Sequence, residues 1–128
     1  MKSVREFWDE QAATLGKDER ATSPDAHYRQ LEIEHIKKHL RGDSLLDVGC
    51  GNGAFVQAAL DEGMDAWGIA LYLPVVANTI RGITTGPLRH RLEVAELSDC
   101  RFTRRTADII MMSDVLEHLV QPLDVLRQ

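Results

Sequence analysis

The chain has little of the chemistry that gives a protein a disulfide framework or a membrane span. Only two cysteines, Cys50 and Cys100, occur in 128 residues, so no set of structural disulfides and no cysteine spacing typical of a metal site is expected. No apolar run approaches about 18 residues and no signal-peptide pattern is present, so we predict no membrane span. A cytoplasmic location in a reducing compartment fits this chain best.

An excess of basic residues is also lacking. The formal net charge is -5 at pH 7, and such a chain has no general affinity for nucleic acid or for an anionic membrane. The remaining composition is ordinary for a globular domain, since 44% of the residues are hydrophobic and 27% are charged. We therefore expect one domain with a core of its own and no polynucleotide partner.

The most informative stretch runs from Leu45 to Phe55. Apolar residues around Asp47 predict a strand, glycines then occupy every second position from Gly49 to Gly53, and the following residues can start a helix. Glycine permits positive φ and a close approach of the backbone to a ligand, and the N-terminus of a helix favours an anionic group. This strand, turn and helix are a candidate ligand site.

Two motifs resemble a known family. The sequence DVGCGNG, from Asp47 to Gly53, is similar to the first motif of the class I S-adenosylmethionine-dependent methyltransferases, an acidic residue followed by G-x-G-x-G, and differs from the G-x-G-x-x-G of dinucleotide dehydrogenases. The stretch from Ala107 to Leu119 resembles the fourth strand and following helix of that family. The resemblance implies an α/β fold with a Rossmann-like, doubly wound parallel sheet in three layers (α/β/α), of order 3-2-1-4 and incomplete after the fourth strand.

Hydrophobic periodicity organises the rest of the chain. Apolar residues at helical spacing predict a helix ending near Gly16, which either covers the core or lies over the substrate side. Residues 1–22 form this helix and a loop, ahead of a partial methyltransferase-like domain over residues 23–128. Further strands are expected at 65–71, 92–97 and 109–112, the last of them buried on both faces. A short helix from Leu73 to Ile80, a loop from Gly82 to Pro87, and a last helix after Pro122 complete the prediction.

The two helices beside the first strand each have a predicted buried face. The earlier helix starts at Ser23 and Pro24 and runs to about Leu40. Its buried positions share one face at i, i+4, i+7 and i+11: Arg29, Ile33, Ile36 and Leu40. The helix after the glycine turn is expected to end at Gly63 and to pack Ala54, Phe55, Ala58 and Ala59 on the sheet.

The resemblance also implies which residues contact S-adenosylmethionine. Asp47 orients the cofactor loop, and the glycines allow close approach. Arg29, with Tyr28 beside it, is a candidate for the cofactor carboxylate, although an arginine that pairs with a protein carboxylate is as plausible. The remaining implied contacts are the loop residues Gly49, Cys50, Gly51 and Gly53, Glu96 at the adenine end, Leu71 and Leu97 on either side of the ring, and the backbone of Met112 and Ser113. For Glu96, an ordinary surface glutamate is the alternative interpretation.

One position departs from the family pattern. An acidic residue at the end of the second strand normally accepts hydrogen bonds from the ribose hydroxyls, about 20 residues after the glycines. The matching position here holds Ala70. A charge-assisted hydrogen bond contributes about 1.5 to 3 kcal/mol, so its loss weakens binding by about one to two orders of magnitude.

Methyl transfer needs little from side chains, since the sulfonium already makes the methyl group electrophilic. The lack of a catalytic triad is therefore not evidence against methyltransferase activity. His118 is a weak candidate for a general base, and a structural pair with Glu117 is the more ordinary interpretation. The acceptor class implied is a small molecule, with oxygen, nitrogen and carbon all open.

Three functions remain open from the sequence. The first is a methyltransferase or its cofactor-binding half. The second is an inactive methyltransferase-like subunit that serves as a binding or structural module. The third is a nicotinamide-dependent oxidoreductase, which the G-x-G-x-G spacing and the alanine at position 70 disfavour. Because the apolar strand at 109–112 would lie at the edge of the sheet, we expect either that the chain is a fragment or that a partner or second copy covers this strand.

Overall fold

A computed structural model of the chain describes residues 26–70, 87–95, 107–113 and 121–127, together with Met1, Glu6, Glu10, Thr14 and Val115. The elements in chain order are α1 (Ala26–His39), β1 (Ser44–Val48), α2 (Ala54–Asp61), β2 (Asp65–Ala70), a 3-10 helix (Pro87–His90), β3 (Leu92–Val94), β4 (Ile109–Met111) and α3 (Pro122–Leu126). The four strands form one parallel sheet of order β3-β2-β1-β4. The predicted Rossmann-like parallel α/β fold and its strand order are confirmed.

Strand β1 lies at the centre of the described sheet. Leu46 of β1 pairs with Trp67 of β2 on one side and with Ile110 of β4 on the other. Since successive side chains of a strand point to opposite faces, β1 contributes to two separate cores. Leu45 packs on the face that α1 and α2 cover, with Ile36, Val56 and Ile109, whereas Leu46 and Val48 pack on the opposite face with Trp67 and Ile69.

Helix α1 covers the sheet with the predicted face, except at its end. Arg29, Ile33 and Ile36 are all at most 5% exposed, as expected. Leu40, by contrast, is 49% exposed, so its predicted burial is wrong. The helix ends at His39, and the N–H of Leu40 still donates to the carbonyl of Ile36 at 2.9 Å. Leu40 is therefore the exposed cap of the helix, from which the chain turns through Gly42 with a φ of 102°.

Helix α2 ends at Asp61, two residues before the predicted glycine, Gly63, which closes the helix end. The N–H of Gly63 donates to the carbonyl of Leu60, and the N–H of Met64 donates to the carbonyl of Ala59, which is the hydrogen-bond pattern of a Schellman motif. Gly63 has a φ of 82°, a conformation that favours glycine. The buried face was predicted only in part, because Val56 is fully buried with Ala59 while the other predicted positions are half-buried.

Strand β4 differs from the prediction in its burial. Ile109 is buried against the core beneath α1 and α2, but Ile110 is 61% exposed. The expectation of burial on both faces is therefore wrong for Ile110 within the described residues. An unbroken apolar run predicts a buried strand only where other elements cover both faces, and β4 lies at the edge of the described sheet.

Several predictions fall largely outside the described residues. Of the predicted first helix, only Glu6, Glu10 and Thr14 are described, and these are helical and exposed. The predicted cap at Ser23 and Pro24 and the helix from residue 73 to residue 80 lie outside, as does most of the loop from 82 to 87. Helix α3 begins at Pro122 as predicted. No helix in the described part of the chain is long and apolar enough to cross a membrane.

Asp108 joins the starts of β1 and β4. Its Oδ2 accepts hydrogen bonds from the N–H groups of Asp43 and Ser44, both at 3.2 Å, and from the Ser44 hydroxyl at 2.8 Å. The N–H of Asp108 donates back to Ser44 Oγ at 2.9 Å. These hydrogen bonds, that of the Ser44 hydroxyl foremost, hold the pKa of Asp108 below its ordinary value of 3.8. The two strands are thus fixed in register where they begin.

We predict that Asp108→Asn lowers the free energy of unfolding at neutral pH. A depressed pKa in the folded state contributes stability above the unfolded pKa, and this contribution is lost as the pH falls from 3.8 through the folded value. The difference in free energy of unfolding between the wild type and the variant should therefore shrink in urea titrations carried out at successively lower pH. Asp43→Asn is the control, because only the backbone of Asp43 takes part in these contacts. An equal loss of unfolding free energy in both variants would contradict the stabilising role of the Asp108 carboxylate.

Candidate functional site

The glycine turn follows β1 directly and folds back on β2. Gly49, Gly51 and Gly53 have φ values of 82°, 56° and 83°, so all three take the positive φ that the sequence predicts. The N–H groups of Gly49 and Cys50 both donate to the carbonyl of Ile69, at 2.7 and 3.0 Å. The turn is therefore anchored to the carboxyl end of the neighbouring strand.

Crowding adds to the need for glycine at two of these positions. A Cβ on Gly49 would overlap Cγ2 of Val115, and a Cβ on Gly53 would lie 2.6 Å from Cδ1 of Leu92. The turn thus lies between a residue that follows β4 and the first residue of β3. Any side chain at Gly49 or Gly53 would push these neighbours away.

Helix α2 begins at the end of the turn. Gly53 is its N-cap residue and supplies no side-chain hydrogen bond, while Asn52, only 8% exposed, accepts a hydrogen bond at its Oδ1 from the N–H of Ala54 at 3.2 Å. The first N–H groups of a helix have no intrahelical acceptor and carry partial positive charge. The sequence did not identify Asn52, although asparagine before a helix start is a recognised capping signal.

Asp47 is the buried acidic residue of the site. It is 7% exposed on β1, two residues before Gly49. Burial raises the pKa of the Asp47 carboxyl from 3.8 to about 7, and the negative charge of Glu32 acts in the same direction. The carboxyl is therefore divided between its charged and neutral forms near neutral pH.

Cys50 fills the space beside a glycine of β2. It is 3% exposed, and a Cβ built on Gly68 would lie 2.6 Å from its sulfur atom. Gly68 pairs with Asp47 across the β1–β2 ladder. Lack of a side chain at Gly68 thus leaves room for the Cys50 side chain, and the close fit makes the thiol a packing group here.

The two candidates for the cofactor carboxylate differ in their surroundings. Arg29 is 5% exposed on the covered face of α1, whereas Tyr28 is 58% exposed. A guanidinium that is almost wholly buried needs anionic or carbonyl partners. Arg29 thus has the burial of a functional or structural cation, and Tyr28 has the exposure of a surface residue.

The remaining predicted site residues divide between described and undescribed positions. Ala70 is the last residue of β2 and is 2% exposed, packed in the core with Leu92. Met112 is half-buried and Ser113 exposed, both directly after β4. The other predicted residues lie outside the described part of the chain: Leu71, Glu96, Leu97 and His118.

The strand order places this turn at a switch point. From β1, the chain proceeds to β2 and β3 on one side of the sheet, and β4 lies on the other side. Ligands of open parallel sheets bind outside the carboxyl ends of the strands where the order reverses. The glycine turn after β1 and the residues after β4 meet at this place, which defines a Rossmann-like α/β domain.

Comparison with known proteins identifies the family. A model of the methyltransferase domain matches residues 18–128. The chain belongs to the S-adenosylmethionine-dependent methyltransferase family.

Individual relatives are similar over part of their length. The ubiquinone biosynthesis O-methyltransferase of Photobacterium profundum is 30% identical over 101 residues, which cover 75% of this chain and 43% of that protein. Proteins of the same name from Aliivibrio fischeri and Yersinia enterocolitica are 27% and 25% identical, over 69% and 76% of this chain and 38% and 42% of their own length. The chain therefore spans about two fifths of the length of these relatives.

We predict that Gly49→Ala is more destabilising than Gly63→Ala. Both glycines have a φ of 82°, but a Cβ on Gly63 meets nothing within 4 Å whereas one on Gly49 overlaps Val115. Gly63→Ala should cost about 1–2 kcal/mol for the left-handed backbone, and Gly49→Ala about 1–3 kcal/mol more for the overlap. Urea unfolding measures both values. Equal losses would show that the turn is not packed against Val115.

We also predict that burial of Asp47 makes stability depend on pH. Its folded pKa of about 7 lies above the unfolded value of 3.8, so the folded state binds more protons between these values and the free energy of unfolding falls as pH rises. The fall amounts to at most about 4 kcal/mol and levels off above pH 7. Asp47→Asn should remove this fall. In urea titrations, the free energy of unfolding of the variant should therefore rise relative to that of the wild type between pH 5 and pH 8.

The control for this prediction is Asp61→Asn. Asp61 is exposed on α2 and accepts a hydrogen bond from Gln57. This change should leave the slope of stability against pH as it is in the wild type. A wild type whose stability does not fall over this pH range would contradict the raised pKa of Asp47.

Proposed function

We propose that this chain binds S-adenosylmethionine at the glycine turn and takes part in methyl transfer to a small-molecule acceptor. The single observation that carries the proposal is the turn itself, in which Gly49, Gly51 and Gly53 all take positive φ between the central strand and a helix N-terminus. Membership of the methyltransferase family supports the same ligand. The matched relatives are covered over only about two fifths of their length, so their activity is a proposal for this chain.

The geometry fits the amino-acid end of the cofactor. The start of α2 offers partial positive charge to a carboxylate, and the glycines leave no side chain between the ligand and the backbone. Asp47, buried behind the turn with a pKa of about 7, is proposed to orient the turn. Arg29 is the proposed partner of the cofactor carboxylate, with Tyr28 as the less buried alternative.

The ribose end fits less well. Ala70 ends β2 beside the turn and offers no hydrogen-bonding side chain. We therefore propose that this chain binds S-adenosylmethionine more weakly than relatives with a carboxylate there. Leu71, Glu96 and Leu97 remain the proposed adenine contacts, and the backbone of Met112 and Ser113 is proposed to face the cofactor from β4.

The chemistry proposed is nucleophilic attack of the acceptor on the methyl group of the bound sulfonium. The cofactor supplies an activated methyl group, and the protein aligns acceptor, methyl carbon and leaving sulfur. The names of the matched relatives specify O-methyltransferases, which supports an oxygen atom as the acceptor. His118 is retained only as a weak candidate for the base that removes the acceptor proton.

The remaining proposals concern the location of the protein and what covers strand β4. We propose that the protein acts in the cytoplasm, consistent with its two cysteines and its charge. We also propose that a partner, a second copy or further sequence covers β4, since Ile110 is exposed at the edge of the described sheet. The comparisons give no support to the alternative of an inactive structural subunit.

Isothermal titration calorimetry with S-adenosylmethionine, and with nicotinamide dinucleotide as the comparison ligand, tests the proposal. Saturable heat is expected with S-adenosylmethionine alone. Ala70→Asp should tighten that binding by about ten- to a hundredfold, because the new carboxylate accepts hydrogen bonds from the ribose hydroxyls. It should also lower the stability of the free protein, because Ala70 is only 2% exposed and a carboxylate there loses solvation.

Ala70→Asn is the matched control for this variant. Its amide has a similar shape and no charge, so it should tighten binding less than aspartate does. Unchanged affinity in Ala70→Asp would show that residue 70 does not face the ribose. Absence of heat with S-adenosylmethionine in a folded wild-type sample, or heat with the dinucleotide only, would contradict the proposed function.

A further inference from the structure

Two histidines lie together on the exposed surface of α1. His35 and His39 are one helical turn apart, and both are exposed. Their ring centroids are 4.4 Å apart, with an angle of 40° between the ring planes. The helix that carries them runs for 14 residues and buries Ile33 and Ile36 against the sheet. The helix backbone therefore fixes where the two side chains begin, one turn apart on the same exposed face.

This spacing suits a chelated metal ion. Residues at i and i+4 project from the same face of a helix, and two histidines so placed are a recurrent pair of zinc ligands. With Zn–N bonds of about 2.0–2.1 Å in tetrahedral geometry, two imidazole rings on one ion have centroids about 5 Å apart. The observed separation of 4.4 Å reaches this value by small side-chain rotations. Such rotations meet little resistance at exposed positions.

We propose that His35 and His39 form a surface site for a divalent transition metal, with Zn²⁺ as the ion to test. Imidazole nitrogen favours Zn²⁺, Cu²⁺ and Ni²⁺ over the oxygen-seeking Mg²⁺. Among the described residues, no group of three or more histidine, cysteine, aspartate or glutamate side chains is placed to hold a metal. Of the described residues, His35 and His39 are the two proposed ligands, and water completes the coordination.

This site is separate from the proposed cofactor site. His35 and His39 lie on the exposed side of α1, and the glycine turn contacts β2, β3 and the residue after β4. Metal binding would join two successive turns of α1 through the side chains, which stabilises the helix that also carries Arg29. The inference does not depend on S-adenosylmethionine binding.

Zinc titration of the full chain by calorimetry, with three single variants, tests the site. Chelation makes the second metal bond intramolecular, so loss of either ligand is expected to weaken the tightest Zn²⁺ binding by about tenfold or more. His35→Ala and His39→Ala should both show this loss, and alanine keeps the helix intact. His27→Ala is the matched control, because His27 is exposed on the same helix two turns before His35.

A second readout separates chelation at this pair from zinc binding elsewhere. Zn²⁺ should raise the midpoint of thermal unfolding of the wild type and of His27→Ala, and should raise it less in the other two variants. Mg²⁺ at the same concentration should leave the midpoint unchanged in all four proteins. Equal zinc affinity in the wild type, His35→Ala and His39→Ala would overturn the proposal, as would a loss of affinity in His27→Ala alone.

Discussion

The positive φ of the glycine turn is the constraint on which the site depends. A left-handed conformation costs a residue with a Cβ about 1–2 kcal/mol. Three positions of the turn have this conformation, and all three are glycines: Gly49, Gly51 and Gly53. The turn is stabilised by two hydrogen bonds to a single carbonyl, that of Ile69. The turn in this form therefore depends on β2 lying beside β1. The position of the helix start follows from this pairing.

The fold positions the turn at some cost in solvation. Asp47 is buried on the central strand with a pKa of about 7. A carboxylate buried in a core lowers stability, and strongly shifted pKa values of this kind cluster at functional sites. Asp108, at the other end of the same sheet, shows the opposite effect, since its hydrogen bonds to Ser44 lower its pKa. One carboxylate fixes the strands where they begin, and the other lies beside the candidate site where they end.

Local sequence patterns predicted the parts of the fold that depend on local geometry. The alternate glycines gave the turn, Gly63 gave the end of α2, and the apolar stretch containing Leu45 gave the central strand. The order of the strands came from resemblance, because no local pattern encodes which strands pair. The resemblance therefore contributed the topology.

The errors in predicted burial occur at the end of a helix and at the edge of the described sheet. Leu40 continued the helical spacing of Ile33 and Ile36 but lies beyond the helix end, and Ile110 belongs to an apolar run at a sheet edge. Asn52 could have been found from its capping preference. The raised pKa of Asp47 could not, since it arises from burial on β1 and from the charge of Glu32 on helix α1. The sequence therefore identified the backbone conformation of the glycine turn but not the raised pKa of the carboxyl beside it.

The most direct measurement is the backbone amide spectrum of the ¹⁵N-labelled chain during titration with S-adenosylmethionine. If the glycine turn is the cofactor site, the largest shifts occur at Gly49, Gly51 and Gly53 and at the first residues of α2, and the exposed surface of α1 around His35 does not respond. Saturable shifts confined to other parts of the sheet would contradict this assignment, as would a folded chain whose spectrum does not change.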